Sequence, residues 1–341
     1  MRILPRYVLV LIFCLQLAAQ SAVAAEIVIN AAGDIMLAGR WAPVLKRKGF
    51  GSSFDGVRKE LSGADISLAN LEFPLANRGT EFLTKKFRFK GEPDVAVALR
   101  EAGFNLVTLA NNHSMDFGGV ALKETLRHLE SAGIAWIGAG ENLDEARKMA
   151  LYTLKGKKIA FLGYSLTQPV EFFADTDRPG TTPGYEKLVI ADVASARRQA
   201  DVVIVTFHWG KEADVTVQNY QKIIARKAVD AGADVIIGHH PHILQGIERY
   251  RNSLIFYSLG NFVFASKSVT ADVSALVRLR FDDSRRRAEI IPLDVLHRRV
   301  GFQPKVLYGE RGNEVIGRLN DLSREFKTTV IHSDGKFILE F

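Results

Sequence analysis

The feature that most constrains this chain is a repeated pattern of apolar, β-branched runs that break off abruptly in polar residues. Ile27-Val28-Ile29-Asn30-Ala31-Ala32 ends at Gly33-Asp34, and Ile66-Ser67-Leu68-Ala69 ends at Asn70-Leu71-Glu72. Leu106 to Ala110 ends at Asn111-Asn112-His113, and Val202 to Phe207 ends at His208-Trp209-Gly210. Val235-Ile236-Ile237 ends at Gly238-His239-His240, and Ile255 to Leu259 ends at Gly260-Asn261. Runs of this kind suit strands buried on both faces. Shorter runs at 134–137 and 158–162 fit the same sheets.

The segments between several runs carry helical spacing. Phe117 to Ala132 has apolar residues at Val120, Leu122, Leu126 and Leu129, and Val217 to Ala231 is closed by Gly232. Alternating strand and helix predicts an α/β layer fold. Residues 77–93 and 164–185 read as long irregular connections, the kind that often form lids or binding loops. After Thr270 the reading changes to antiparallel strands at 273–281 and 288–296 around a charged turn. A helix at about 310–326 follows, then short closing strands. The expectation is one domain over 26–341, with its core motifs in 26–266 and the C-terminal part completing the sheets.

The first 25 residues stand apart. Arg2 and Arg6 precede an apolar stretch from Tyr7 to Ala19, and Ser21-Ala22-Val23-Ala24-Ala25 offers small residues at a cleavage site. This is the pattern of a secretory signal peptide. The apolar run is short of the roughly 20 residues of a membrane span, although an uncleaved anchor is the alternative. The expected location is the periplasm or the outer face of the cell envelope. Cys14 is the only cysteine. A mature chain would have none, so a metal site would have to use His, Asp, Glu and Asn. Losing Arg2 and Arg6 lowers the formal charge from +7 to +5, a mild positive balance compatible with anionic polymers or phosphorylated substrates. The basic residues are scattered without interleaved aromatics, and no nucleic-acid partner is expected.

The chemistry sits at the ends of the runs. Of the eight histidines, His113, His208, His239, His240 and His242 all fall there, with Asp34, Glu72, Asn112 and Asn261 at equivalent points. Ligands of open α/β sheets bind outside the carboxyl ends of the strands. Carboxylates and neutral imidazoles suit Zn, Mn or Fe, so Asp34, Glu72, Asn112, His208, His240 and His242 are the expected ligands of one or two divalent ions. Asn70, His239 and Asn261 are expected to touch substrate, and Asp116 and Glu212 are weaker candidates. Pro241 should restrain His240 to an extended backbone. Asn112-His113 has the composition of an Asx-turn.

Six motifs carry a resemblance. Gly33-Asp34-Ile35-Met36, Ala69 to Leu75, Ala110 to Gly118, His208 to Glu212, Gly238 to His242 and Tyr257 to Phe262 together resemble the CapA family. These are poly-γ-glutamate capsule biosynthesis proteins within the calcineurin-like metallophosphoesterase superfamily. The resemblance implies a four-layer α/β/β/α sandwich with its site at the strand ends. It implies that Asp34, Asn112, His208, His240 and His242 are metal ligands, that Glu72 is the bridging carboxylate, and that His113 is the general acid. Two positions depart from the superfamily. Met36 stands where a ligand His is usual, and Glu72 replaces an Asp. The implied roles are a metal-dependent hydrolase of an anionic envelope polymer or phosphorylated substrate within an envelope biosynthesis complex, or a non-catalytic polymer-binding or export component. A nucleotidase or general phosphatase is a third reading.

Overall fold

The structure, a computed structural model, describes residues 25–266, 268–283 and 285–341. The expected signal peptide falls, all but Ala25, outside the described residues. Among the described residues no helix is long and apolar enough to cross a membrane.

The apolar runs form strands. In chain order these are β1 (Ile27–Ile35), β2 (Ile66–Leu71), β3 (Leu106–Thr108), β4 (Ala135–Ile137), β5 (Ala139–Gly140) and β6 (Ala150–Leu154). Then come β7 (Lys157–Ser165), β8 (Gly180–Thr181), β9 (Val202–His208), β10 (Val235–His239), β11 (Ile247–Tyr250) and β12 (Ser253–Phe256). The C-terminal strands are β13 (Asn261–Val263), β14 (Val273–Phe281), β15 (Arg286–Asp294), β16 (Lys305–Val306), β17 (Ile331–Ser333) and β18 (Lys336–Glu340).

Two large sheets result. A ten-stranded sheet has the order β17-β18-β15-β14-β1-β2-β3-β4, with β13 against β1 and β16 against β15. A six-stranded sheet has the order β11-β12-β10-β9-β7-β6, and β5 and β8 form a small ribbon. β1 to β4 pair in parallel, as do β7, β9, β10 and β12. The C-terminal strand β14 lies antiparallel to β1, with Ile27 opposite Phe281.

Alternation along each strand sets the layers, because successive side chains point to opposite faces. Ile27, Ile29 and Ala31 of β1 pack in one cluster with Ile159, Phe161, Val202, Ile204, Val235 and Ile237 of the other sheet. That cluster is the seam between the sheets. Their neighbours Val203, Val205 and Ile236 face away from the seam, onto Val189 and Val193 of the helix Glu186–Arg197 and Ala225 and Ala228 of the helix Asn219–Asp230. On the far side of the ten-stranded sheet, Ala69 and Val107 meet the helices Val95–Ala102 and Gly118–Ser131 through Leu99, Leu122 and Leu126. The layers are therefore helix, sheet, sheet, helix, as the resemblance implies.

Several elements differ from expectation. The run Ile255 to Leu259 is not one strand. β12 stops at Phe256, and the chain crosses from the six-stranded sheet to the ten-stranded one before β13 begins. The crossing is stitched to both sheets, since Leu259 N–H donates to Gly238 O at 3.2 Å and Asp34 N–H donates to Gly260 O at 3.0 Å. The antiparallel strand expected at 288–296 lies two residues earlier. The expected helix at 310–326 is Gly309–Leu322 followed by a 3-10 turn, Arg324–Phe326. The helices Val95–Ala102 and Glu186–Arg197 were not anticipated. In the second, Leu188 and Ile190 are half-buried beside Val189, which blurs any single apolar face.

Candidate metal centre

The carboxyl ends of β1, β2, β3, β9 and β10 converge. Each strand delivers its first polar residues there because the hydrophobic run beneath is fixed between two packed layers. Asp34 lies within β1, in register with Asn70 of β2 and Asn261 of β13. His208 ends β9 and stands opposite His239 of β10.

The expected ligands meet. Glu72, His208 and His240 bring one ligand atom each to within 4.8 Å of one another, and so do Asp34, Glu72 and His242. A third such group joins Glu212 to His240 and His242. Glu72 is common to the first two, as a bridging carboxylate would be. Its Oε1 lies 3.5 Å from His208 Nε2 and 3.7 Å from His242 Nε2. Those separations are too long for hydrogen bonds. They match ligand atoms each about 2.1 Å from one ion, which in a tetrahedron stand about 3.4 Å apart. Glu72 Oε1 and His240 Nδ1 are buried and have no hydrogen-bond partner. Buried polar atoms rarely go unpaired, and oxygen and imidazole donors are the ligands that divalent first-row ions take. The residues fit a divalent cation.

Asn112 completes the first group. Its Oδ1 lies 2.9 Å from His208 Nε2. Met36, by contrast, is buried within the helix-side core, so it offers nothing at the Asp34 corner.

His239, which stands next to that corner, does not take the missing place. It enters none of the three groups, and its Nδ1 sits 3.2 Å from Asp34 Oδ1. Asn70, His239 and Asn261, expected to touch substrate, are 0%, 0% and 1% exposed. They are as enclosed as Asp34 and Glu72, which are 0% exposed. Asn70 shows what such a residue does. Its Nδ2 donates to Asp34 Oδ1 at 2.8 Å and Glu72 Oε2 at 3.3 Å and lies 3.3 Å from His208 Nδ1, while its Oδ1 accepts from Asn111 Nδ2 at 3.0 Å.

The turn at His240 is a second correction. Its φ is +97°, and that of His242 is +61°, where a residue before proline was expected to be extended with negative φ. Tertiary bonds impose the shape. His240 N–H reaches Asp34 Oδ2 at 3.3 Å, and Pro241 O accepts from Ala213 N–H at 2.9 Å. Non-glycine residues held at positive φ cost about 1–3 kcal/mol each and concentrate at functional sites.

The Asx-turn is made by Asn111, not Asn112. Asn111 Oδ1 accepts from His113 N–H at 3.0 Å and Ser114 N–H at 2.9 Å, which frees the Asn112 side chain to face His208. His113 stands beside the cluster. Its Nδ1 lies 2.6 Å from Asp116 Oδ2, so Nε2 is the ring nitrogen left for the site. Lys85 Nζ joins them at 2.8 Å from Asp116 Oδ1. Lys85 was not foreseen; nothing in Lys85-Lys86-Phe87-Arg88 distinguishes it from its exposed neighbours.

Electrostatics separate the groups. Burial pushes the Glu72 carboxyl well above the usual range, against the pull of His242. Burial would also raise Asp34, but His239 and His242 beside it hold it well below. His242 is desolvated yet pushed up to about 9 by the Glu72 and Asp34 carboxylates. Burial and the charge of His242 push His240 down to about 3. Burial lowers His208 strongly, and it lowers His113 against the attraction of Asp116. Neutral His208 and His240 are in the protonation state that metal ligation requires.

Comparisons with known proteins agree with the motifs. The family model described as bacterial capsule synthesis protein PGA_cap matches residues 28–266. The chain is 34% identical to the PGA biosynthesis protein CapA of Bacillus subtilis (strain 168), over 77% of this chain and 70% of that protein. It is 31% identical to the capsule biosynthesis protein CapA of Bacillus anthracis, over 77% of this chain and 66% of that protein. The match thus spans about two-thirds of the length of these relatives. Among solved structures it is similar to Haemophilus influenzae NAD nucleotidase (NadN) at 14% identity and a TM-score of 0.48, covering 86% of this chain and 63% of that one. On the family match and the two relatives, this chain belongs to the bacterial capsule synthesis protein PGA_cap family.

Proposed function

We propose that this is an exported, metal-dependent hydrolase or transferase that acts on an anionic envelope polymer such as poly-γ-glutamate during capsule synthesis. One observation carries the reading. Four strand ends from two sheets bring Asp34, Glu72, His208, His240 and His242 into overlapping ligand groups, with the polarised His113 alongside. The relatives named for capsule and PGA biosynthesis support the substrate class.

Asp34, Glu72 and His242 would hold one ion; Glu72, Asn112, His208 and His240 would hold another. A divalent ion there supplies Lewis-acid charge and lowers the pKa of water towards about 7. The chain's own groups do the rest. Asn70 orients both carboxylates through one amide. Asp116 fixes the His113 ring, so that Nε2 faces the site as the nitrogen that takes up a proton and, once protonated, can pass it to a departing group.

Metal analysis of the purified protein, paired with a panel of phosphodiester and γ-glutamyl substrates, tests the reading. Bound metal with metal-dependent turnover is the expected result; no metal and no turnover sinks it. The buried Met36 favours a second reading, in which one ion position is lost and the protein binds or hands on polymer without turnover. Bound metal and polymer affinity with no turnover on either substrate class is the outcome that selects it.

A further inference from the structure

The irregular segment 77–93 crosses over the site and is fastened to it. Phe82 N–H donates to Asp116 O at 2.9 Å, and Phe89 N–H donates to Asp116 Oδ2 at 2.8 Å. The Phe89 ring lies 4.9 Å from the His113 ring. At the start of the connection, Asn77 N–H and Arg78 N–H both donate to Glu124 Oε2. Between these anchors Lys85 turns inward. Its side chain is 15% exposed, its Nζ lies 5.5 Å from the centre of the Phe172 ring, and it donates to Asp116 Oδ1 and to the Asn112 carbonyl.

Asp116 is fully enclosed. Its Oδ2 is shared by His113 Nδ1 at 2.6 Å and Phe89 N–H at 2.8 Å, and its Oδ1 is met by Lys85 at 2.8 Å. A buried carboxylate persists only when charge and hydrogen bonds compensate it, and Lys85 is the cation that does so. Lys85 Nζ also stands 2.8 Å from His113 Nδ1. The contact from Nδ1 to Oδ2 is the shorter of the two, at 2.6 Å, and the proton on Nδ1 is assigned to it. Lys85 is therefore left to Asp116 Oδ1 and the Asn112 carbonyl. The ammonium thus ties the backbone of a candidate metal ligand, Asn112, to the carboxylate that aims His113.

We propose that Lys85 is a positioning residue: from the crossing segment it holds Asp116 and the Asn112 peptide so that His113 keeps one tautomer, Nδ1–H towards Asp116, and presents Nε2 to the candidate metal centre. Its consequence for turnover rests on the hydrolase reading; its consequence for the ring does not.

The test compares the full-length protein with Lys85→Met and with Lys85→Gln, which keeps a donor but loses the charge. Lys86→Met, on the exposed neighbour, is the control. Long-range 1H–15N NMR of the histidine rings, with His113 assigned by its loss in His113→Gln, reads the tautomer without any metal. Wild type and Lys86→Met should show His113 as the Nδ1–H form alone. The Lys85 variants should show mixed tautomers, with thermal melts confirming that at least one is folded. A single unchanged Nδ1–H signal in a folded Lys85 variant overturns the proposal. With Mn2+ and bis(p-nitrophenyl) phosphate, misalignment should lower kcat about 10- to 100-fold with KM little changed. A loss confined to KM would also overturn it. If wild type turns over neither this probe nor a γ-glutamyl one, the hydrolase reading falls, and the ring signals still decide the role of Lys85.

Discussion

His208 Nε2 lies 2.9 Å from Asn112 Oδ1, and this contact joins the ends of two different sheets. His208 closes β9 of the six-stranded sheet, while Asn112 follows β3 of the ten-stranded one. The site therefore exists only when the sheets pack in their observed relation. Beneath it, Thr206 Oγ1 and Thr108 Oγ1 make a second inter-sheet hydrogen bond at 3.1 Å.

Asn70 gives the most direct check on how the cluster is held. It touches Asp34, Glu72 and His208 but is wholly enclosed. Groups that orient ligands without binding the ion typically contribute 10- to 100-fold to metal affinity. Asn70→Ala is expected to weaken Mn2+ or Zn2+ binding by about that factor with the metal-to-protein ratio at saturation unchanged. Competition titration against a chelating dye measures both. Unaltered affinity would mean that the carboxylates are fixed without it.

Metal binding should release protons. His242 titrates near 9, so at pH 7 an incoming ion competes with a proton for its ring. The signs oppose each other. A histidine with a folded pKa above its usual 6.5 stabilises the metal-free fold fully below about 6.5, and that contribution is lost as pH rises through 9. Metal affinity should instead rise across the same interval. The Tm difference between metal-loaded and chelator-treated protein is therefore expected to widen from pH 6.5 to 9. At an ion concentration 100 times Kd the binding contributes about 2.7 kcal/mol. Calorimetry in buffers of different ionisation enthalpy counts the protons, and zero release at pH 7 would contradict the assignment of His242 as a ligand.

Much of this site is legible in the sequence. Asp34, Glu72, Asn112, His208, His240 and His242 announce themselves because each follows an apolar run, and a run buried on both faces must end where the layers end. What escapes is whatever depends on contacts between distant segments. Lys85 is one cation among several in a segment without periodicity, and only the path of 77–93 across Asp116 singles it out. The positive φ of His240 opposes the local preference before Pro241 because Asp34, far away in sequence, takes its N–H. The bonds that occupy Asn70 cannot be read from position either, since Asp34 and His208 reach it from other strands.

Glu124 governs how firmly the crossing segment is tied down. Its carboxylate accepts from Asn77 N–H at 2.9 Å, from Arg78 N–H at 3.0 Å and from the Arg78 guanidinium. The Arg78 bonds, backbone first, bring its pKa down to about 2. A carboxyl depressed on folding contributes stability that is present above the unfolded value of about 4.5 and lost as pH falls towards 2. Glu124→Gln should cost about 1–2 kcal/mol at pH 7 and little at pH 2.5. Urea melts at both pH values test this, and an equal loss at each would point to packing instead of charge.

Gly33 sets the closest backbone approach at the site, and its replacement separates a local steric cost from ordinary glycine entropy. A Cβ there would lie 1.9 Å from Gly260 O, and Asp34 N–H bonds that same carbonyl. Because the obstruction is backbone, nothing nearby can rotate aside; β1 and the chain leading into β13 would have to part. Gly33→Ala should therefore cost about 1–3 kcal/mol, as overpacking does, and should shift Asp34 enough to weaken metal binding as well. A Cβ added at Gly317, in the helix Gly309–Leu322, would meet nothing within 4 Å. There the same substitution relieves the helix of glycine's excess entropy and should stabilise by up to about 1 kcal/mol. Chemical denaturation of the two variants reads opposite signs if close approach, and not glycine content, holds the Asp34 strand in place. A neutral Gly33→Ala with intact metal affinity would show that β1 and β13 can separate without disturbing the centre.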